Sequence, residues 1–478
     1  MRVMFAKNVA CGLLGVCSLA SASLAMHFEA IFLPEPDSVV AAAVATPHGE
    51  ELPRWALRST ERVGLVDVHH LSLTSQLWRS AEEVDRPQWT HNVVVAVPMQ
   101  RKADRLMLMI GGGRFRDAAS PSATQQTAAA AMMSGLAVAY VDNVPAQPLD
   151  FAHDEAGPLV EDAILSESWV RSLETNDPTW IVHKAMVLAV RGAMTSIEEH
   201  LGGLETPITL DGFTLMGGSK RGWTAWLTAL EDERVRAVIP AVIPLLNMRP
   251  HFEHHKAAYG FWAPTLKDYE ERGLLERIDA ADFGRIAQHV DPFFRRDELT
   301  LPKYIVNAAG DEFFLPDSDQ FYIGQLPGHT SLLVRSGAGH SVTNADGVIE
   351  SIMAWAVTEA SLGVEAIPTI AVEYESGSLT VTASTKPERV TLATMTNATV
   401  RDFRTVTVGR EWAREAIEPN DDGRFVATLA APDAGWTAHV VEVTFVTPSG
   451  LRLIVSSQLK VLPEMLPFSD AASIEVIE

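Results

Sequence analysis

The chain has 478 residues, with 38 Lys and Arg against 61 Asp and Glu, a formal net charge of -23, and 47% hydrophobic and 21% charged residues. That balance fits a folded globular protein long enough for two or three domains and excludes a disordered chain. So acidic a surface repels phosphate backbones and gains little from anionic lipid, so neither a nucleic-acid partner nor stable membrane insertion of the mature chain is expected.

Residues 1–25 read as a cleaved signal peptide. Arg2 and Lys7 give a positive start, and an apolar run of about 12 residues follows from Val9 to Ala20. That is short of the ~20 residues that span a bilayer. Ala20-Ser21-Ala22 or Ser23-Leu24-Ala25 offers small residues for cleavage. Export to the periplasm or the exterior is therefore expected. Both cysteines, Cys11 and Cys17, fall inside this segment. The mature chain would then have no disulfide, no thiol nucleophile and no cysteine-based metal site.

From residue 26 to 365 short β-type runs alternate with helical ones. Strands are expected at Asn92 to Val97, Leu106 to Ile110, Leu136 to Val141, Phe213 to Met216, Val235 to Pro240, Lys303 to Val306 and Ser331 to Val334. Helices are expected at Pro178 to Leu201, Trp223 to Leu230 and Val348 to Leu362. Near-continuous apolar strands between helices predict a doubly wound α/β fold with a mostly parallel sheet. Residues 248–300 interrupt the alternation and read as a cap-like insertion. From 366 to 478 the texture becomes alternating. Strand-like runs cover Thr369 to Ser384 with a turn at Ser376-Gly377, Val390 to Thr396, Arg404 to Val408, Gly423 to Leu429, His439 to Thr447 and Leu451 to Leu459. They predict a C-terminal all-β, sandwich-like domain.

The chemistry concentrates at three points. Leu215-Met216-Gly217-Gly218-Ser219-Lys220-Arg221-Gly222-Trp223 runs from an apolar strand through a glycine bend and a serine into a helix. A sharp strand-to-helix turn lifts a serine hydroxyl above the sheet edge, as in α/β hydrolases. The usual elbow is Gly-x-Ser-x-Gly; here Arg221 takes the second position after the serine and the glycine falls one later. The second point is Asp311, directly after the strand at Lys303, with Glu312 and Asp317 as rivals on the same loop. The third is Gly337-Ala338-Gly339-His340, after the strand at Ser331. Serine, acid and histidine thus follow the chain order of that fold. His340 would deprotonate Ser219 and Asp311 would orient the imidazole. Activity should then fall below about pH 6.5, where an ordinary histidine protonates. The backbone amide of Lys220 would be one oxyanion donor, and Gly112 and Gly113, in the glycine run after the strand at Leu106, would supply the other. A plain tight turn is the alternative for that run.

Weaker candidates are read structurally. His251, His254 and His255 lack a His-Glu-x-x-His spacing and are expected on the lid or surface. His69-His70 lies in a strand-like run. Trp223 and Trp226 are expected in the core, with substrate contact as the alternative for the pair. Glu161-Asp162 reads as a solvated helix start that could instead hold a cationic substrate group. No cofactor or metal is implied.

Gly217 to Trp226, Gly310-Asp311-Glu312-Phe313-Phe314-Leu315-Pro316-Asp317 and Gly337-Ala338-Gly339-His340 resemble the PhoPQ-activated pathogenicity-related protein family. Glu161-Asp162-Ala163, Asp177-Pro178-Thr179-Trp180 and Gly435-Trp436-Thr437-Ala438 are similar to it as well, so the resemblance spans roughly Trp55 to Leu459. It implies an α/β-hydrolase-like fold, export in bacteria, a link to virulence or extracellular signalling, and a triad at Ser219, Asp311 and His340. It names no substrate. The expectation is an exported serine hydrolase that cleaves a carboxylic ester or a peptide amide. The alternative is an extracellular binding or signalling protein on an inactive hydrolase scaffold.

Overall fold

The computed structural model describes residues 52–469, apart from 153–156, 279 and 376. The expected signal peptide at 1–25, with Cys11 and Cys17, lies outside the described residues. No helix among the described residues is long and apolar enough to cross a membrane.

One sheet of nine strands organises the first two-thirds of the chain. Its members are β1 (Arg54–Val63), β2 (Val66–Leu77), β3 (Gln88–Pro98), β4 (Arg105–Ile110), β5 (Ala137–Val141), β6 (Gly212–Gly218), β7 (Val235–Ala241), β8 (Lys303–Ala308) and β9 (Thr330–Arg335). Their spatial order is β1-β2-β3-β5-β4-β6-β7-β8-β9. β1, β2, β3 and β5 pair antiparallel, and every pairing from β5 to β9 is parallel.

The helices of this region are α1 (Pro121–Ser134), α2 (Asp162–Thr175), α3 (Val182–Gly202), α4 (Lys220–Glu231), α5 (Met248–Tyr259), α6 (Lys267–Glu270), α7 (Ala281–Val290) and α8 (Val348–Leu362), of which α5 to α7 lie in the insertion. Successive strand residues point to opposite faces, so each strand feeds two cores. Leu106 and Leu108 pack with Ile164, Met186 and Trp226 of α2, α3 and α4. Met107, between them, packs with Ala131 and Trp355 of α1 and α8. Helices on both faces give the doubly wound α/β-hydrolase arrangement.

All seven expected strands of this region form. β1 and β2 were not anticipated as a pair. β1 is exposed along nearly its whole length, so it lacks the apolar alternation that marks a strand. The segment at Pro178 is a single 3-10 turn, Pro178–Trp180, before α3 begins at Val182. α1 is rich in alanine and carries little amphipathic contrast. Its ends are set by Ser120, whose Oγ accepts from the amide of Ala123 at 3.2 Å, and by Gly135 at φ 74°.

Beyond α8 the chain forms two antiparallel sheets. One comprises β10 (Ile370–Glu375), β11 (Ser378–Ala383) and β14 (Phe425–Thr428). The other comprises β12 (Arg389–Asn397), β13 (Ala413–Ala416), β15 (Trp436–Val446), β16 (Arg452–Ser456) and β17 (Lys460–Leu462). Val381 and Phe425 of the first share a core with Val443 and Val455 of the second and with Trp355 of α8. The expected strand at Arg404 to Val408 is corrected to one helical turn, Thr405–Val408. Tertiary hydrogen bonds override the β-branched composition there. Thr405 N donates to Gly310 O at 2.9 Å, and Thr407 Oγ1 donates to Asp402 at 2.8 Å.

Candidate active site

Ser219 stands between β6 and α4 at φ 56° and ψ -132°, a left-handed conformation that side chains other than glycine rarely adopt. Such strain, of order 1–3 kcal/mol, persists only where the surroundings enforce it. Here the enforcement is close packing. A Cβ at Gly217 would collide with the backbone of Arg221, and one at Gly222 would lie 2.7 Å from Gly217 O. The glycine three places after the serine therefore closes the bend, which accounts for the shifted motif. Ser219 N donates to Ala241 O at 2.8 Å, tying the bend to β7. Ser219 Oγ makes no hydrogen bond to a described residue.

His340 leaves the end of β9, and its Nδ1 lies 2.9 and 3.0 Å from the two carboxylate oxygens of Asp311. With the proton on Nδ1, the ring donates to Asp311 and keeps Nε2 as an acceptor. Asp311 is 3% exposed. Its Oδ1 also accepts from the amide of Phe313 at 2.8 Å. The rivals face elsewhere. Glu312 accepts from the amide of His340 at 2.6 Å and from Thr405 Oγ1. Burial opposes its charge, but those hydrogen bonds hold its carboxyl below the usual range. Asp317 is paired with Arg401 at 2.6 Å and with His254 at 3.0 Å. The imidazole of His340 packs on Phe313, ring centres 4.3 Å apart, and Phe313 shares a cavity with Ser219.

The three expected oxyanion donors sit on two loops. Lys220 is the first residue of α4, and Gly112 and Gly113 follow β4. Their backbone amides donate to no described residue. The carbonyls of Gly111, Gly112 and Gly113 are all used, accepting respectively from Val144 N, Asn143 N and Gln147 Nε2 at 3.0, 3.0 and 2.5 Å. The loop is thus bonded through its carbonyls, and the amides of Gly112 and Gly113 pair with none of the described residues.

The cavity beside Ser219 is walled by aromatic and aliphatic side chains. Trp169 and Trp223 form one side, Phe313 and Phe314 another, and the insertion contributes Phe252, Leu266, Tyr269, Leu275 and Phe283. The free space is only about 30 Å³, room for a water molecule or two. The insertion, expected as a cap, thus lines the cavity that Ser219 also lines. Trp223 lines the cavity and also donates from Nε1 to Val290 O, whereas Trp226 is a core residue away from it.

The polar edge of the cavity departs from expectation. Lys220 is 5% exposed, and its Nζ lies 3.0 Å from Glu161 and 3.1 Å from Asp162. Arg221 forms a two-point ion pair with Glu161 at 2.7 and 2.8 Å. Glu161-Asp162 does open α2, as expected, but its carboxylates are engaged by Lys220 and Arg221, with the Glu161 side chain still 40% exposed. Burial resists ionisation of Glu161, yet the two cations hold its carboxyl far below the usual range. Asp162 also accepts from Tyr269 Oη at 3.1 Å. Sequence reading missed Arg221, Gln147 and Arg401. Their only signal was an arginine where the motif expects glycine. Of the insertion histidines, His251 and His255 are buried and His254 holds Asp317. No group of three His, Cys, Asp or Glu able to hold a metal occurs among the described residues.

A strained serine on a strand-to-helix turn, at the carboxyl edge of a mostly parallel sheet covered on both faces, defines a chain of α/β-hydrolase fold. It belongs to the PhoPQ-activated pathogenicity-related protein family, whose model matches residues 44–404. Autocrine proliferation repressor protein A of Dictyostelium discoideum is 30% identical over 475 residues, covering 91% of this chain and 94% of that protein. Among solved structures, acetyl xylan esterase 1 of Thermoanaerobacterium sp. is similar at a TM-score of 0.39 and 14% identity, over 60% of this chain and 83% of that one. An S-formylglutathione hydrolase of Agrobacterium tumefaciens is similar at 0.40 and 13%, over 64% and 99%.

Proposed function

We propose that the protein is an exported serine hydrolase that cleaves a carboxylic ester or a peptide amide. The observation that carries this reading is the conformation of Ser219, held at positive φ directly before the amide of Lys220, with the His340–Asp311 pair packed on Phe313, which lines the same cavity as Ser219. His340 Nε2 takes the proton of Ser219 Oγ as the oxygen attacks the substrate carbonyl. Asp311 keeps the imidazole in the needed tautomer and stabilises its cation. The negative charge on the tetrahedral intermediate is met by the amides of Lys220 and of Gly112 or Gly113. His340 then protonates the leaving alcohol or amine. Water, deprotonated by the same histidine, attacks the acyl-serine and releases the acid. The aromatic lining would suit an apolar acyl or side-chain group once side chains of the insertion move aside.

The test is labelling of the purified protein with a fluorophosphonate, beside Ser219→Ala. Wild type is expected to label and the variant to remain blank. A folded wild type that stays unlabelled would overturn the reading. It would favour a second one, an extracellular signalling protein on an inactive scaffold, which the name of the Dictyostelium relative supports. Export follows from the residues of segment 1–25 and is tested by the N-terminal sequence of the protein recovered outside the cytoplasm.

A further inference from the structure

Arg221 stands where the usual elbow has glycine, and each of its three guanidinium nitrogens donates a hydrogen bond. Nε donates to Val144 O at 2.7 Å, and Nη1 and Nη2 donate to Glu161 at 2.7 and 2.8 Å. Glu161 is itself held at φ 55° and ψ -125°, in the left-handed region, directly before α2. Its amide donates to Gln147 Oε1 at 2.7 Å, and its Oε1 accepts from Gln147 Nε2 at 2.7 Å. The same Gln147 Nε2 donates to Gly113 O at 2.5 Å. Gln147 is 3% exposed, and its amide donates to Asn143 Oδ1 at 3.0 Å. The guanidinium also lies close against Gly112, where any Cβ would collide with it.

From this network we infer that Arg221, Glu161 and Gln147 form a clamp that positions the glycine loop for oxyanion binding, locking it to the helix that starts at the nucleophile. The inference rests on the serine-hydrolase reading. Its logic is geometric. The two sets of oxyanion donors sit on different loops, after β4 and after β6, and must converge on one oxygen to within a fraction of an ångström. Gly113 lies at φ 124°, and glycine imposes little backbone preference of its own, so the loop after β4 depends on outside support. The clamp provides it through carbonyl oxygens and leaves the amides free. The two-point geometry also explains why arginine is needed there: lysine cannot make both contacts to Glu161 and a third to Val144 O. The three are positioning residues, because they act through the loop and not on the substrate.

The experiment compares wild type, Arg221→Lys, Arg221→Ala and Gln147→Met. Each is measured by the rate of fluorophosphonate labelling and, with an activated ester, by kcat, KM and the pH dependence of kcat/KM. Gln147→Met keeps the volume and leaves the Arg221–Glu161 pair intact, so it remains informative if Arg221→Ala fails to fold. The clamp predicts that kcat and the labelling rate fall roughly 10- to 1000-fold in Gln147→Met and further in Arg221→Ala, with Arg221→Lys between wild type and Arg221→Ala. KM should change less than about threefold, and the acid limb of the pH profile, set by the histidine, should not move. Folded variants that label and turn over like wild type would overturn the inference while leaving the hydrolase reading in place. Equal losses in kcat and affinity that track loss of stability would overturn it too. A folded wild type that never labels would remove both.

Discussion

Asp311, Glu312 and Asp317 crowd one loop, and their partners separate their roles. Only Asp311 meets the ring of His340; Glu312 meets its backbone, and Asp317 is committed to Arg401 and His254. Asp311→Asn is therefore expected to lower kcat by about 10³–10⁴-fold at nearly unchanged stability, because the amide imposes the wrong tautomer. Asp317→Asn should do the reverse. It leaves Arg401, 4% exposed, without its charge partner, costing about 3–5 kcal/mol in urea unfolding while Ser219 still labels. Loss of labelling in folded Asp317→Asn would mean that the wrong acid has been assigned. A pH dependence follows as well. Burial raises the carboxyl of Asp317, but Arg401 and His254 lower it further, leaving it well below the usual range, and Glu161 behaves alike. A carboxyl depressed by folding contributes stability that is full above its unfolded value, near pH 4, and is lost as the pH falls further. Thermal midpoints should thus decline below about pH 4, and more shallowly in Asp317→Asn. Equal slopes would show that Asp317 does not carry the effect.

At the level of elements, the β6–α4 bend and the insertion govern access to the serine. A Cβ at Gly222 would sit 2.7 Å from Gly217 O and 2.9 Å from Ile243 Cγ2, so Gly222→Ala forces the helix off the strand end. The expected cost is about 1–3 kcal/mol, with labelling lost well beyond what that instability explains. A Gly222→Ala chain that labels normally would show that the bend tolerates a wider closure. The insertion fills the cavity with Phe252 and Phe283, and little room remains for an acyl group. On the hydrolase reading, an acyl group would enter only if these side chains moved aside. Phe283→Ala should raise the labelling rate of a bulky phosphonate relative to a small one several-fold, at a stability cost of about 3–5 kcal/mol. An unchanged ratio would mean that substrates approach from another side.

Across the whole molecule the α/β sheet and the C-terminal sheets share their cores. β15 is buried on both faces. Val441 and Val443 pack with Trp355 of α8, and Val440 and Ala438 join the cluster that holds Phe403 and Trp412. Glu442 of β15 is buried and bound by Arg335 of β9 and by the amide of Ser336 at 2.9 Å. Residues 366–469 form antiparallel sheets, but their apolar faces continue those of residues 52–365. Urea unfolding is accordingly expected as one cooperative transition, and a chain ending at Ala366 should fail to give one. Two resolved transitions, or a stable truncated chain, would show instead that the C-terminal sheets fold by themselves.

The parallel strands, α4, α8 and the chain order of Ser219, Asp311 and His340 were legible because local patterning records them: apolar runs mark strands buried on two faces, and glycines mark sharp bends. The resemblance of the serine motif extended that reading to the family. Local pattern could not report β1, whose exposed residues carry no alternation, nor the helical turn at Thr405, which exists because Gly310 and Asp402 bind it. It preferred Asp311 but could not show which partners each of the three carboxylates on that loop takes. It also could not show that Arg221, Glu161 and Gln147, drawn from three separate segments, converge on the glycine loop. Those outcomes depend on which distant groups satisfy buried charges and hydrogen bonds, and only the folded chain brings such groups within reach of one another.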